Sequence, residues 1–190
     1  MKLDESINYI VSGLERSGTS MLMQILENGG ISMQFSDDRP ADEHNPKGYY
    51  ELEGGKIINK LMEGSFPFDT YKGSFIKITA YGLKFLPQGK YKIIYSERNI
   101  EEILNSMEKM ADINDQNREE TKDIFLKLNT LIKNLIRSRE DCDVLFVDYN
   151  MFMKNPQSEI LKIPEFLDID DADIDSMIQT IDAKLYRQRC

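Results

Sequence analysis

Residues 9–26, YIVSGLERSGTSMLMQIL, carry the first pattern able to do chemistry: Gly13, four residues, then Gly18-Thr19-Ser20 opening a helical apolar repeat. Glycines let the backbone curl, and successive N–H groups then converge on an anion at the positive end of the helix. The spacing therefore predicts a phosphate-cradling loop, with Ser17 and Gly18 in its bend. A nucleoside-triphosphate loop needs Lys after the second glycine to reach the outer phosphates. Thr19 stands there instead, and the cation, Arg16, lies inside the loop. The plain alternative is a pair of turn glycines in a strand–helix connection.

A second pattern lies in residues 92–106, KIIYSERNIEEILNS. A buried strand would deliver Arg98 at its end, and Ser106 would fall on the helix that follows. A forked guanidinium suits a dianionic phosphate, each charge-assisted bond contributing about 1.5–3 kcal/mol. The competing reading pairs Arg98 with Glu101 or Glu102 and leaves Ser106 exposed. Lys77, at the end of an apolar run, is either a strand-end lysine facing solvent or a cation aimed at developing charge. The polar segment 36–55 adds Asp37, Asp38, Asp42, Glu43, Glu51, Glu53 and the lone His44. Each of these reads as a solvated loop charge or as a proton acceptor.

Positioning these residues takes strands alternating with helices. Apolar runs at 7–11, 75–78, 91–95 and 144–147 read as short buried strands, and 31, 33 and 35 alternate as a half-buried one. Helical periodicity follows at 19–28, 100–110 and 117–139, with a last helix near 173–181. Such alternation implies crossover connections, so the expected fold is three-layer α/β/α with a mostly parallel sheet. No linker or repeat divides residues 1–190, which are expected to form a single domain. The irregular stretch within 36–72 is expected to serve ligand binding.

Composition limits the partners. Of 190 residues, 24 are Lys or Arg and 33 are Asp or Glu, a net charge of −9. That balance disfavours general binding to nucleic acid or anionic membranes, so an anion must be held by a local cluster. One histidine excludes multi-histidine metal sites. The absence of a long apolar run, the opening MKLDES and two distant cysteines, Cys142 and Cys190, lead to the expectation of a cytoplasmic protein with reduced thiols.

The run Arg16-Ser17-Gly18-Thr19-Ser20 resembles the 5′-phosphosulfate loop of sulfotransferases, which use 3′-phosphoadenosine 5′-phosphosulfate (PAPS) and have a P-loop-type fold. Glu15 departs from that pattern, standing where proline is usual. The strand–Arg–(x)7–Ser arrangement of Arg98 and Ser106 is similar to the family's 3′-phosphate site, a group that ATP lacks. Residues 73–87 resemble the family's Lys-Thr-His strand, here Lys77-Ile78-Thr79 with the histidine absent. Residues 144–167 and the Leu185-Tyr186-Arg187 ending extend the likeness over nearly the whole chain. The resemblance implies that Arg16 to Ser20, Arg98, Ser106 and Arg187 bind PAPS without a metal, releasing adenosine 3′,5′-bisphosphate (PAP). It further implies that Lys77 stabilises the leaving oxygen and that the acceptor is a small molecule with a hydroxyl or amine. With no histidine after Lys77, the base is expected among the acids of 36–55, as in branches of the family that use glutamate. Glu51 comes first, because Gly48-Tyr49-Tyr50 would bury it and raise its pKa. Asp38 and then His44 follow. A divergent P-loop kinase and a catalytically silent nucleotide-binding module are the alternatives.

Overall fold

A computed structural model gives the fold and describes residues 2–36 and 38–182. Four strands, β1 (Asn8–Gly13), β2 (Phe75–Lys77), β3 (Tyr91–Glu97) and β4 (Cys142–Asp148), form one sheet in the order β2-β1-β3-β4. Every pairing is parallel, with Ile10 opposite both Ile76 and Ile93, and Ile93 opposite Val144. Parallel strands are covered on both faces, so their sequences run continuously apolar while successive side chains still enter different layers.

That division is visible residue by residue. Ile10, Ile76, Ile93 and Tyr95 face a core completed by α2 (Ile57–Met62), α3 (Ile100–Ala111) and α4 (Arg118–Ser138). Tyr9, Val11, Phe75, Ile94 and Val147 face the opposite core. There they meet α1 (Thr19–Asn28), α5 (Tyr149–Lys154), α6 (Pro156–Leu167) and α7 (Ile174–Gln179). The result is the three-layer α/β/α sandwich expected from the sequence. No described helix is long and apolar enough to cross a membrane.

The chain leaves β1 toward one face through α1 and leaves β3 toward the other through α3. Connections that diverge in this way open a crevice outside the carboxyl ends of adjacent parallel strands. The loops after β1, β2 and β3 all end at that crevice.

One expectation changes. Residues 31–35 do not form a regular strand: Phe75 N donates to Ser32 O, Gln34 N donates to Phe75 O, and only Met33 bridges to Phe75. The three-residue β2 offers no longer edge to pair with. Segment 36–55 is largely irregular, as expected, but its ends are tied, with Ser36 N donating 2.9 Å to Glu51 O.

Candidate active site

The loop between β1 and α1 is shaped by contacts that only glycine permits. A Cβ at Gly13 would lie 2.4 Å from Ser17 Oγ and 2.6 Å from the Ser96 carbonyl oxygen. Gly18 has φ +97°, and a Cβ there would fall 2.2 Å from the Tyr149 ring. Helix α1 starts at Thr19 with no side chain capping it, so its first-turn amides are open to an anion. Arg16, a non-glycine at φ 63°, sits between the two glycines in a left-handed conformation. Such a residue costs of order 1–3 kcal/mol and persists where its surroundings fix it. Here Nε donates 3.0 Å to Ser106 Oγ, Nη2 donates 3.2 Å to His44 O, and its own carbonyl accepts from Arg98 Nη1.

Arg98 leaves the end of β3 and is almost wholly buried. Its Nε donates 2.9 Å to Glu102 Oε2, with side-chain exposures of 7% and 2%, and its guanidinium lies 4.3 Å from the Tyr149 ring centre. Glu102 is held from its other oxygen by Asn150 Nδ2 at 3.0 Å. The Glu102 pairing weighed from the sequence is therefore present, while Ser106 is buried rather than exposed. Both Arg98 and Ser106 nevertheless line the same cavity as Arg16.

Lys77, at the end of β2, reaches the same cavity with a side chain only 6% exposed. Its Nζ lies 3.3 Å from Glu51 Oε1, donates 3.2 Å to Ser20 Oγ, and donates to the Tyr49 carbonyl. Burial pushes the Lys77 ammonium below the usual lysine range, and the Glu51 carboxylate opposes that shift in part. The other oxygen of Glu51 accepts from Arg39 at 3.1 Å, and Arg39 stacks 3.4 Å over the Tyr49 ring. Tyr49 in turn donates 2.7 Å to Asp42, whose second oxygen caps the amides of His44 and Asn45. Asn45 Nδ2 closes the circuit at 2.9 Å from Ser20 Oγ. The segment is strapped to the first turn of α1.

The cavity has a volume of about 370 Å3 and is lined by Arg16, Gly18, Thr19, Ser20, Lys77, Arg98, Ser106 and Glu51, among others. Six cations (Arg16, Arg39, Lys47, Lys77, Arg98, Lys109) stand on its wall against Glu15, Glu51 and Asp182. In a chain of net charge −9 this is a strong local reversal, suited to a ligand with several anionic groups.

Three expectations need correction. Ser17 is not on the cavity wall: its Oγ is buried beneath the loop with no hydrogen-bond partner and its amide donates to Leu14 O. Asp38 is exposed, accepts from Ser36 Oγ at 2.7 Å and does not line the cavity. Glu51 does line it, but between two cations rather than in the apolar setting expected from Tyr49 and Tyr50. His44 contributes its carbonyl to Arg16, and Arg187 lies outside the described residues. Asp148, at the end of β4, caps α5 by accepting from the amides of Asn150 and Met151. Sequence reasoning missed Arg39, Asn45 and the Tyr49 carbonyl. Counting only the acids of a polar segment hid the cation that orients one of them.

An open parallel sheet with a glycine-shaped loop and a cation-lined cavity at its switch point defines an α/β protein whose site suits an anionic ligand. Residues 7–189 match the sulfotransferase domain family, and the chain belongs to it. No curated protein is similar enough in sequence to match. Among solved structures, a mouse sulfotransferase complexed with PAP has a TM-score of 0.59 at 19% identity, covering 100% of this chain and 68% of that one. The sulfotransferase domain of the Synechococcus PCC 7002 olefin synthase also has a TM-score of 0.59, at 14% identity, covering 95% and 79%. A retinol dehydratase in complex with retinol and PAP has a TM-score of 0.54 at 17% identity, covering 97% and 67%.

Proposed function

We propose that this protein transfers a sulfonate from PAPS to a hydroxyl or amine of a small-molecule acceptor. The observation that supports it most is one cavity shared by the open α1 terminus, two arginines from separate loops, and the Lys77–Glu51 pair. The amides of Gly18 and Thr19, the Thr19 and Ser20 hydroxyls and Arg16 would hold the 5′-phosphosulfate. Arg98 and Ser106 would hold the 3′-phosphate, the group that separates this donor from ATP. Ser17 would shape the loop from below.

In the transfer, a bond forms between the acceptor oxygen or nitrogen and sulfur while the bond from sulfur to the 5′-phosphate oxygen breaks. Lys77 Nζ, desolvated and donating to Ser20 Oγ, would stabilise charge on the departing oxygen. Glu51, oriented by Arg39, takes the acceptor proton, and PAP is the product. The protein is a transferase in this reading, and segment 36–72 builds its acceptor side.

A thermal-shift titration tests the donor. PAP should raise the melting temperature at micromolar concentration, while ATP with magnesium should not. Stabilisation by ATP with magnesium and none by PAP would overturn the assignment and restore a kinase.

A further inference from the structure

Next to the main cavity, and sharing Glu51 and Lys77 with it, lies a small recess of about 30 Å3. Leu52, Ile57, Ile58 and Leu61 wall its inner part, and all but Ile58 are buried. Its mouth is formed by Glu51, Gly55, Lys77, Ile78 and the exposed Thr79, residues that also line the larger cavity. Gly55 keeps that mouth open: its φ is +85°, and a Cβ there would stand 2.9 Å from Glu51 Oε2.

We propose that this recess is an acceptor subsite, and that the acceptor carries its reactive hydroxyl or amine on a short unbranched aliphatic group. The inference rests on the roles given above to Glu51 and Lys77. If Glu51 takes the proton, the reacting atom sits at the mouth of the recess, and the carbons attached to it have an apolar space to enter. A single water needs about 10–15 Å3 of such space and two to four polar partners. The recess has room for about two groups of that size, yet its inner wall is hydrocarbon. It suits two or three carbons, and an aromatic ring is too large for its volume. Each methylene that enters should improve kcat/KM about fourfold, the equivalent of about 0.8 kcal/mol for a buried CH2.

The test uses the full chain with PAPS and a series of linear primary alcohols and amines from two to six carbons, with phenol as the bulky comparison. PAP release and sulfated product are both measured, and PAP affinity is measured in parallel. The expected profile rises about fourfold per methylene up to three carbons and then falls. Leu61→Ala, which lengthens the recess, should move the maximum toward longer chains. Ile58→Phe, at the less buried wall, should fill the recess and abolish the gain per methylene, with PAP affinity within twofold of the parent in both variants. A flat profile in the parent protein, or a maximum that neither substitution moves, overturns the inference. So does PAP binding with transfer to phenol alone or to none of these acceptors, which leaves the donor reading intact. Failure to bind PAP removes the donor reading itself, and the subsite with it.

Discussion

Arg98 Nη1 donates 3.0 Å to the main-chain carbonyl of Arg16, joining the two sequence patterns across the floor of one cavity. The accepted bond belongs to the left-handed residue of the loop, so Arg98 fixes the bend that exposes the α1 amides. Glu102 and Tyr149 hold the guanidinium from the opposite side. The two readings of Arg98, structural ion pair and phosphate ligand, are therefore compatible. The pairing that buries the side chain also orients it.

Arg98→Ala should weaken PAP about tenfold or more, from one or more charge-assisted bonds of about 1.5–3 kcal/mol, while 5′-AMP loses much less. The substitution also leaves Glu102 buried without that cation, a destabilising change in itself. Arg98→Ala combined with Glu102→Gln separates the two effects. Calorimetric titration of both ligands checks the prediction, and equal losses for PAP and 5′-AMP would count against a 3′-phosphate site.

Glu51→Gln keeps the shape of the side chain and removes its capacity as a base. Sulfonate transfer should fall about 10²–10⁴-fold, the usual range for general base catalysis, with PAP affinity changed less than threefold. Steady-state kinetics with any acceptor that turns over is sufficient. A variant that keeps more than half of the parent rate assigns proton removal to another group.

The strands and the loop were legible because their signals are local. Apolar runs of four or five residues gave β1, β2, β3 and β4, and the glycine spacing gave the bend between β1 and α1. What the sequence did not disclose depends on distant contacts. Tyr149 sets how closely the loop may approach α5, and no neighbour of Gly18 in the chain signals it. The environment of Glu51 was misread because Tyr49 supplies a carbonyl to Lys77 and a ring face to Arg39, not an apolar lid. Residues 31–35 alternate as a strand should, but a strand also needs an edge long enough to pair with, and β2 is not.

Gly18→Ala tests the closeness of the loop to Tyr149. A methyl group would meet the ring at 2.2 Å and would impose a side chain at φ +97°, so two separate penalties apply. Stability should fall by about 2–4 kcal/mol in total. Adding Tyr149→Ala should recover the steric share and leave the backbone share. Urea unfolding of the parent, both single variants and the double variant gives the coupling between the sites. Strict additivity would show that the ring and the glycine do not constrain each other.

Away from the cavity, one ion pair makes stability depend on acid. Arg139 grips Asp141 through two bonds, Nε to Oδ1 at 2.8 Å and Nη2 to Oδ2 at 2.6 Å, and the Gly89 amide adds a third at 3.0 Å. The guanidinium, opposed in part by burial and helped by that amide, holds the Asp141 carboxyl well below the usual carboxylate range. Its folded pKa lies below its unfolded one, so the stabilisation is fully present above about pH 4 and is lost as pH falls toward the folded value. Solvent screening at this partly exposed pair limits the contribution to about 1 kcal/mol. Asp141→Asn should therefore lower the melting temperature by about 2–4 °C at pH 7, and the difference from the parent should shrink steadily below pH 4. Melting curves of both proteins between pH 7 and pH 2.5 decide it. A gap that stays constant across that range would mean that Asp141 acts through packing and not through its charge.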